Sequence, residues 1–232
     1  MDRDGTDFAR YGVYFTAKGA LAEFGAAWLG WDVAAGCARP HPPVDGLPVP
    51  VAELTETPRR YGFHATLKPP FRLRDPETAE ALGDALSEVA AGVEPVELAG
   101  LRVATLGSFV ALVPEGDVTR LNALAGRLVT GIDRFRAPPS AAELDRRRAR
   151  GLTPRQEEML TRWGYPYVLD EFRFHMTLTG RLSAADAEQV QEALAPKIEP
   201  LVPSPVRIDD VTLVGEDAAG RFHEIARVPL GG

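Results

Sequence analysis

The chain has 232 residues, of which 45% are hydrophobic and 25% are charged, and its formal net charge at pH 7 is −7. This composition is typical of a globular protein, and the length allows one large domain or two small ones. No uncharged apolar run is long enough to cross a membrane, and the charged N-terminus differs from a secretion signal. The single cysteine, Cys37, excludes an internal disulfide and a cysteine-rich zinc site. Because the acidic charge disfavours general nucleic-acid binding, we expect a cytoplasmic protein with a local functional site.

Mixed α and β elements are predicted along the first half of the chain. A helix is expected from Asp75 onward, because Asp75 provides an N-cap and Pro76 fits the first helical position. Frequent prolines predict a long loop over residues 36–58. Residue periodicity predicts the other elements, which are a strand at 10–16, a helix at 18–31, a strand at 61–67 and an antiparallel pair of strands at 96–106 and 109–115.

Helix starts are the clearest signals in the second half. Ser140 to Glu143 and Thr153 to Gln156 fit the capping box, and they predict helices at about 141–150 and 154–163. On the first of these helices, Glu143 and Arg147 are spaced for a favourable ion pair. The other predicted elements are a helix at 117–133, a strand at 172–180, a helix from Ser183 through Leu194, and strands at 205–215 and 221–230.

A sequence repeat relates the two halves. Four residues recur at an offset of 111, which places Phe63, His64, Thr66 and Leu67 over Phe174, His175, Thr177 and Leu178. Because the chain has only 4 histidines, their recurrence in one context is hard to attribute to chance. The repeat predicts a single domain, 1–232, made of two pseudo-symmetric lobes. Lobe one covers about 10–115, and lobe two covers about 116–232 with a helical insertion at about 138–164.

Each repeated motif carries a histidine and a threonine on one strand face. Side chains alternate along a strand, so His64 and Thr66 point one way, and so do His175 and Thr177. If pseudo-symmetry brings the strands together, two imidazoles and two hydroxyls line one cleft. In-line displacement at phosphorus needs a base and an acid, and histidine can be either near neutral pH. The threonine hydroxyls can donate to the non-bridging oxygens. This set predicts phosphodiester cleavage with no metal and no cofactor.

Less specific interpretations of these residues are also open. Two buried, satisfied histidines or a two-ligand metal site would explain His64 and His175 without catalysis, although a zinc site would need a third protein ligand. Strand propensity alone would explain Thr66 and Thr177. The duplicated context favours catalysis over these alternatives. The other two histidines, His41 and His223, have no duplicated partner and are expected to be structural or exposed.

The two motifs, HATL at 64–67 and HMTL at 175–178, resemble the paired motifs of the two-histidine (2H), LigT-like phosphoesterase superfamily. The flanking segments RYGFHATLKPPF and APPSAAEL are similar to the branch found with phosphonate-utilisation genes. The resemblance implies an α+β, bilobal, pseudo-twofold fold, with two antiparallel-rich sheets, helices on the outside and a central cleft. It also implies RNA 2′–5′ ligation or cleavage, or cyclic phosphodiesterase chemistry, with no settled substrate for this branch.

Further side chains are candidates for substrate contact. Tyr61 and Lys68 flank the first motif, although the prolines that follow Lys68 predict the end of its strand. Arg146 and Arg150 share one face of a helix in the insertion and can bind phosphate, or simply form a solvated surface. Tyr165 and Tyr167 can stack on a base or sugar, or pack internally.

We therefore expect a metal-independent phosphodiesterase that hydrolyses a small cyclic or nucleotide-like phosphodiester. His64 and His175 are the predicted catalytic pair, in either assignment of acid and base, and Thr66 and Thr177 are the predicted phosphate ligands. An RNA end-processing or 2′–5′ phosphodiester enzyme is one alternative, which the acidic charge disfavours. A non-catalytic protein that binds a phosphorylated metabolite is the other. The small phosphodiester is the only partner expected, without membrane or general nucleic-acid binding.

Overall fold

The computed structural model describes residues 8–231. Residues 1–7, which form most of the charged N-terminus considered above, and Gly232 lie outside the described residues. The helices are α1 (Gly19–Leu29), α2 (Val51–Leu54), α3 (Glu56–Arg59), α4 (Ala79–Ala91), α5 (Thr119–Gly131), α6 (Ala141–Arg148), α7 (Pro154–Trp163) and α8 (Ala184–Ile198). The strands are β1 (Arg10–Thr16), β2 (Trp31–Asp32), β3 (Cys37–Ala38), β4 (His64–Phe71), β5 (Val96–Leu98), β6 (Gly100–Leu106), β7 (Phe109–Glu115), β8 (Met176–Thr177), β9 (Val206–Ile208), β10 (Asp210–Glu216) and β11 (Phe222–Pro229).

Seven strands form one sheet in the order β11-β10-β1-β4-β8-β7-β6. Every pairing in this sheet is antiparallel. Two short antiparallel sheets, β2 with β3 and β5 with β9, accompany it. The prediction of a mixed α and β fold with antiparallel sheets is confirmed.

The equivalent strands of the repeat pair with each other. Ala65 of β4 lies opposite Met176 of β8, which joins the two motif strands side by side at the centre of the sheet. Val96 of β5 lies opposite Ile208 of β9 in the same antiparallel manner. Antiparallel pairing of equivalent elements is what an approximate twofold axis between them produces.

Strands from the two halves of the sequence are interleaved in the sheet. β10 and β11 from the second half lie beside β1, and β8 from the second half lies between β4 and β7. The two sides of the sheet therefore do not correspond to the sequence segments 10–115 and 116–232 expected for the lobes. The reason is that β10 pairs with one edge of β1, so each side of the sheet draws on both halves of the chain.

The two faces of the sheet have different coverings. Alternate apolar residues of the central strands, such as Val13, Ala65 and Met176, join the main core together with buried residues of α1, α4, α5 and α8. The opposite face is covered only in part, by a small cluster that includes Tyr14 and Trp31. This partly open face carries the motif histidines and threonines.

The helical insertion folds as its local sequence predicts. Ser140 and Thr153 each accept a hydrogen bond from the backbone of the third helical residue, and both capping boxes are complete. Met159 of α7 is buried against Val129 of α5, in a cluster that Trp163 and Tyr165 border. The insertion is therefore attached to the body of the protein at the end of α5.

Several predicted boundaries are corrected by the structure. α4 begins at Ala79 with Thr78 as its N-cap, because the Thr78 hydroxyl accepts from the Ala81 amide, whereas Asp75 and Pro76 precede it in a turn. The proline-rich loop at 36–58 contains β3, α2 and most of α3. The strand predicted at 172–180 reduces to β8, and a short 3-10 turn ends at Glu171 just before that span.

β4 continues through the two prolines that were expected to end it. Lys68 pairs with Val13 and Phe71 pairs with Tyr11, so one extra residue of β4 is accommodated in this interval. A bulge of this kind leaves a residue unpaired, and a proline there sacrifices no ladder hydrogen bond. Lys68 therefore remains part of the strand that carries the first motif.

Candidate active site

The four motif side chains converge at the junction of β4 and β8. The Ala65–Met176 pair sets the register, and one step along each strand puts His64 opposite Thr177 and Thr66 opposite His175. All four side chains are half-buried, whereas Ala65 and Met176 between them are fully buried. Directly opposed side chains lie about 5 Å apart and diagonal ones about 7 to 8 Å. The register therefore makes His64 and His175 a diagonal pair across the two strands.

Both imidazoles are oriented in the same way by the backbone. His64 Nδ1 lies 2.9 Å from the Gly62 carbonyl oxygen, and His175 Nδ1 lies 2.8 Å from the Arg173 carbonyl oxygen. In each case the carbonyl belongs to the residue two positions earlier. A carbonyl only accepts, so each Nδ1 donates its proton and each neutral ring keeps its free lone pair on Nε2. The repeat therefore presents two Nε2 atoms as proton acceptors, a feature that the sequence patterns did not reveal.

The two Nε2 atoms differ in their surroundings. The Thr66 hydroxyl lies 3.0 Å from His64 Nε2 and donates to it. Within residues 8–231, His175 Nε2 and the Thr177 hydroxyl make no such hydrogen bond. The Nε2 of His64 is thus occupied by a hydrogen bond from its own threonine, whereas the Nε2 of His175 has no such bond within the described residues.

Gly62 is required by the geometry around His64. Its φ angle of +69° lies in the left-handed region that favours glycine, and a Cβ there would come within 1.9 Å of a methyl group of Val33. This conformation positions the carbonyl that holds the imidazole of His64. The glycine in the YGFH segment therefore has a role in positioning the histidine.

Burial lowers the pKa of both histidines. It lowers the pKa of His64 to about 4, against the opposing effect of the bond to the Gly62 carbonyl, and repulsion from His175 adds to the decrease. Burial also lowers the pKa of His175 from its ordinary value. Both rings are therefore neutral at pH 7, the state that a general base requires.

Aromatic rings support the two histidines. The ring of Tyr14 stacks on His64 with a centroid separation of 3.8 Å, and Tyr61 lies 6.1 Å from the same imidazole. Phe109 lies 5.6 Å from His175. Tyr61, a candidate for substrate contact, is thus placed beside the first motif. Tyr14 was not among the residues singled out from sequence, because nothing in its local pattern distinguishes it from an ordinary strand residue.

Lys68 has a structural environment. The residue is only 2% exposed, and its ammonium donates to the Val129 carbonyl at 2.8 Å and to Asp133 at 3.2 Å. The Val129 carbonyl belongs to the last turn of α5, where carbonyls lack helical partners and a cation is favourable. Burial lowers the pKa of Lys68 to about 8, and Asp133 opposes this decrease.

The insertion residues fall into two groups. Arg146 and Arg150 are exposed, and Tyr167 is 39% exposed. Tyr165 is half-buried and lines a small cleft, and Arg147 lies over its ring with the guanidinium carbon 4.5 Å from the centroid. Arg147 was not selected from sequence because it was expected to pair with Glu143.

Glu143 has a different partner from the one predicted. It accepts a hydrogen bond from Arg72 at 2.7 Å, and it also bonds the Ser140 amide in the capping box. Arg72 lies just beyond the end of β4, so a distant residue replaces the expected neighbour. Arg147 is thereby released from ion pairing and is free to stack on Tyr165.

The remaining chemically active residues lie in local contacts outside this junction. His41 Nδ1 lies 3.0 Å from the Trp28 carbonyl oxygen, and His223 Nε2 lies 2.7 Å from a carboxylate oxygen of Asp217. Cys37 is exposed on β3.

Among the residues that the structure describes, no group of three His, Cys, Asp or Glu side chains is placed to hold a metal ion. No helix within 8–231 has the length and apolarity needed to cross a membrane.

Antiparallel pairing of the two segments that carry the His-x-Thr-Leu motifs is the arrangement that the resemblance to two-histidine phosphoesterases implied. The chain belongs to the family described as "Protein of unknown function (DUF1045)", which matches residues 66–223.

Two curated relatives have the same name, "Ribose 1,5-bisphosphate phosphokinase PhnN". The relative from Janthinobacterium sp. (strain Marseille) is 38% identical over 231 residues, which cover 96% of this chain and 51% of the relative. The relative from Laribacter hongkongensis (strain HLHK9) is 31% identical over 221 residues, which cover 94% of this chain and 51% of the relative. The chain thus spans about half the length of the curated relatives it matches.

Solved structures with overall similarity include a phosphoesterase and E. coli LigT. One, described as "Crystal structure of phosphoesterase", has a TM-score of 0.42 and 19% identity, with 97% of this chain and 100% of that chain covered. E. coli LigT complexed with 3′-AMP has a TM-score of 0.43 and 20% identity, with the same coverage of both chains.

Proposed function

We propose that the protein is a metal-independent phosphodiesterase that opens a small cyclic phosphodiester by acid–base catalysis with His64 and His175. The observation that carries this proposal is the paired arrangement of two neutral imidazoles, each held through Nδ1 by a backbone carbonyl. The register of the two motif segments places a threonine of the opposite segment across from each histidine. Acid–base catalysis at phosphorus requires two titratable groups on opposite sides of the reacting atom.

In this mechanism His64 acts as the base and His175 as the acid. Burial keeps His64 unprotonated, so its Nε2 can take a proton from water as the water oxygen attacks phosphorus. The Thr66 hydroxyl must leave Nε2 and turn to a non-bridging oxygen of the phosphate. An anionic diester favours the protonated form of a nearby imidazole, and His175 has a free Nε2 to carry that proton.

The step balances with no further reactant. The bond from the water oxygen to phosphorus forms while the bond from phosphorus to one ring ester oxygen breaks. His64 receives the proton from water, and His175 gives its proton to the departing oxygen, which becomes a hydroxyl. Thr66 and Thr177 donate to the non-bridging oxygens, where negative charge must be stabilised. The product is a phosphate monoester beside a free hydroxyl.

The names of the relatives suggest a substrate class. They are named as kinases of ribose 1,5-bisphosphate, and this chain corresponds to about half of each. The 232 residues contain no Gly-Lys pair and hence no phosphate-binding loop of the kinase type. We assign the kinase activity in that name to the remaining half of the relatives. An enzyme joined to such a kinase is well placed to supply its substrate.

A cyclic phosphate on ribose 5-phosphate fits this relationship. A diester that bridges O1 and O2 of the sugar yields ribose 1,5-bisphosphate when the bond from phosphorus to O2 is hydrolysed. We therefore propose a 1,2-cyclic phosphate of ribose 5-phosphate as the substrate. The resemblance to the branch found with phosphonate-utilisation genes is consistent with a role in phosphonate breakdown.

The test is a turnover assay in the presence of a chelator. The substrates are the 1,2-cyclic phosphate of ribose 5-phosphate, a 2′,3′-cyclic nucleotide and a 2′–5′-linked oligonucleotide. We expect turnover of the sugar cyclic phosphate by the wild-type protein and a loss of at least about 100-fold in His64→Ala and in His175→Ala. His223→Ala is the matched control, because His223 pairs with Asp217 outside the cleft.

Four outcomes would count against the proposal. Full activity in both motif variants would exclude the two-histidine mechanism, and loss of activity on adding chelator would exclude the metal-independent one. Preferential cleavage of the oligonucleotide would replace the sugar substrate by RNA-type linkages. Tight binding without turnover across the panel would identify a binding protein.

A further inference from the structure

One arginine in the insertion, Arg147, combines partial burial with the lack of a carboxylate partner among the described residues. Arg148 bonds Glu157 at 2.6 Å and Arg155 bonds Asp170 at 2.7 Å. Arg147 is half-buried and makes no hydrogen bond or ion pair with a carboxylate among residues 8–231; burial lowers its pKa, and the charge of Glu143 opposes this decrease. A partly desolvated guanidinium without a counter-ion is costly unless an anion compensates it.

Arg147 lines a cleft in which cations exceed carboxylates. The lining includes Lys68, Arg72 and Arg136 as well as Arg147, with Glu143 as the acidic residue. Glu143 is bonded to Arg72, while Asp133 bonds both Lys68 and Arg136. The two carboxylates, Glu143 and Asp133, offset two of the four positive charges. The cleft and its immediate surroundings therefore keep an excess of positive charge.

Arg136, in the lining of this cleft, is held in place by its neighbours. Asp133 holds the guanidinium of Arg136 through two hydrogen bonds of 2.9 and 3.0 Å. Gly164 ends α7 with a φ angle of +73°, and a Cβ at that position would lie 2.9 Å from Arg136. The glycine therefore lets the arginine pack closely against the chain. The indole N–H of Trp163, which also lines the cleft, has no acceptor among the described residues.

The cleft is adjacent to the catalytic junction. Lys68 in its lining is on the same strand as Thr66 and His64, and two to four residues of extended chain span about 7 to 13 Å. Burial raises the pKa of Tyr165, Arg147 and Arg150 oppose the increase, and Tyr61 adds to it. Tyr165 is therefore within electrostatic range of Tyr61, which lies next to His64.

We propose that this cleft binds a second, terminal phosphate of the substrate, with Arg147 as its principal contact, while the diester phosphate lies between the histidines. The free space inside the cleft is about 30 Å³, the room of a small number of water molecules. The phosphate would therefore lie at its mouth, over the half-exposed guanidinium. Lys68 in the lining lies two residues along β4 from Thr66 and four from His64, and this short separation is the basis for placing two phosphates of one substrate in the two sites. The orientation of the substrate in this proposal rests on the proposed function.

The test compares two substrates and three variants. The substrates are the 1,2-cyclic phosphate of ribose 5-phosphate and the same compound without the 5-phosphate. Wild-type kcat/KM should favour the phosphorylated compound about 10- to 100-fold, which is the scale of one charge-assisted contact. In Arg147→Met, which keeps an unbranched apolar stem beside Tyr165 and removes the charge, this preference should fall to near one. Arg147→Lys should retain part of it.

Arg148→Met is the matched control. Arg148 lies on the same helix and carries the same charge, but it bonds Glu157 and does not line the cleft. Its preference between the two substrates should equal that of the wild type. An unchanged preference in Arg147→Met, in a variant whose thermal unfolding matches the wild type, would overturn the proposal. An equal loss in Arg148→Met would also overturn it, because the effect would then be one of general charge.

A binding measurement separates this proposal from the catalytic one. Calorimetry with ribose 5-phosphate as the probe should show binding to the wild type and to His64→Ala, and a loss of about 10-fold or more in Arg147→Met. If no cyclic phosphate is turned over but this binding depends on Arg147, the proposed function fails and the phosphate subsite stands. If turnover occurs and ribose 5-phosphate binds equally to wild type and Arg147→Met, the subsite fails and the function stands.

Discussion

His64 and Thr177 lie opposite each other on β4 and β8, although they come from different halves of the sequence. The same register places His175 opposite Thr66. Each histidine is therefore across from the threonine of the other motif and two residues before its own threonine along the chain. A phosphate at the junction would receive a histidine and a threonine from each side, so neither motif forms a complete site alone.

We expect each threonine to contribute to catalysis through its hydroxyl. Thr66→Val and Thr177→Val keep the side-chain shape and remove the donor, so kcat should fall by about 100-fold in each, as when one donor to a developing anion is removed. Urea unfolding should show little loss of stability, because both side chains are half-buried and β-branched residues suit strands. A variant with wild-type kcat would show that its hydroxyl does not contact the reacting phosphate.

The pH dependence of kcat/KM should be bell-shaped with its maximum below neutrality. His64 must be unprotonated, and its pKa of about 4 sets the acidic limb. His175 must be protonated, and its lowered pKa places the basic limb below the ordinary value for histidine. Substrate binding adds a negative charge, so the profile of kcat should shift to higher pH. A maximum of kcat/KM above pH 7 would contradict this assignment of acid and base.

Burial of His64 should make the protein less stable in mild acid. As the pH falls from 6.5 to about 4, His64 binds a proton in the unfolded chain but not in the folded one. The free energy of unfolding should decrease by about 3 kcal/mol over this interval from this group alone. His64→Gln cannot titrate at this position. Over the same pH interval, its free energy of unfolding should therefore decrease by about 3 kcal/mol less than that of the wild type. Denaturant unfolding of both proteins at pH 7, 5.5 and 4 measures the difference, and parallel curves would rule out the effect.

Replacement of Gly62 should damage both stability and catalysis. In Gly62→Ala the Cβ meets Val33 as well as an unfavourable φ angle, so we expect a loss of about 2 to 3 kcal/mol and a lower kcat as the carbonyl moves from His64. Gly107→Ala is the control, because Gly107 also has a positive φ angle but has open space around it. It should lose about 1 kcal/mol and keep its activity. Equal effects in the two variants would exclude the positioning role of Gly62.

The hydroxyl of Tyr14 should be dispensable for folding. It is buried and has no hydrogen-bond partner among the described residues, while its ring stacks on His64. Tyr14→Phe keeps the ring and removes an unsatisfied polar group, so thermal unfolding should occur at the same or a higher temperature. Tyr14→Ala should lose about 3 to 5 kcal/mol, because a fully buried ring is removed. Strong destabilisation in Tyr14→Phe would reveal a partner for the hydroxyl.

Local patterns predicted the parts of this protein that depend on neighbouring residues. The capping boxes at Ser140 and Thr153 and the alternation around His64 need only a few adjacent positions, and the structure has both. The features that escaped prediction depend on distant residues. β4 passes through its prolines because β1 accommodates a bulge, and Arg147 is unpaired because Glu143 binds Arg72 from beyond β4.

The pairing of Arg10 in β1 with Glu216 in β10 has a consequence for how the chain folds. β1 is synthesised well before β10, because 206 residues separate Arg10 from Glu216 along the chain. Contacts of such long sequence separation close large loops and slow the search for the native state. The catalytic junction should therefore assemble late, after synthesis of the C-terminal strands, and a nascent chain stalled before β10 would be inactive and would present an unpaired edge of β1 to chaperones or to other chains.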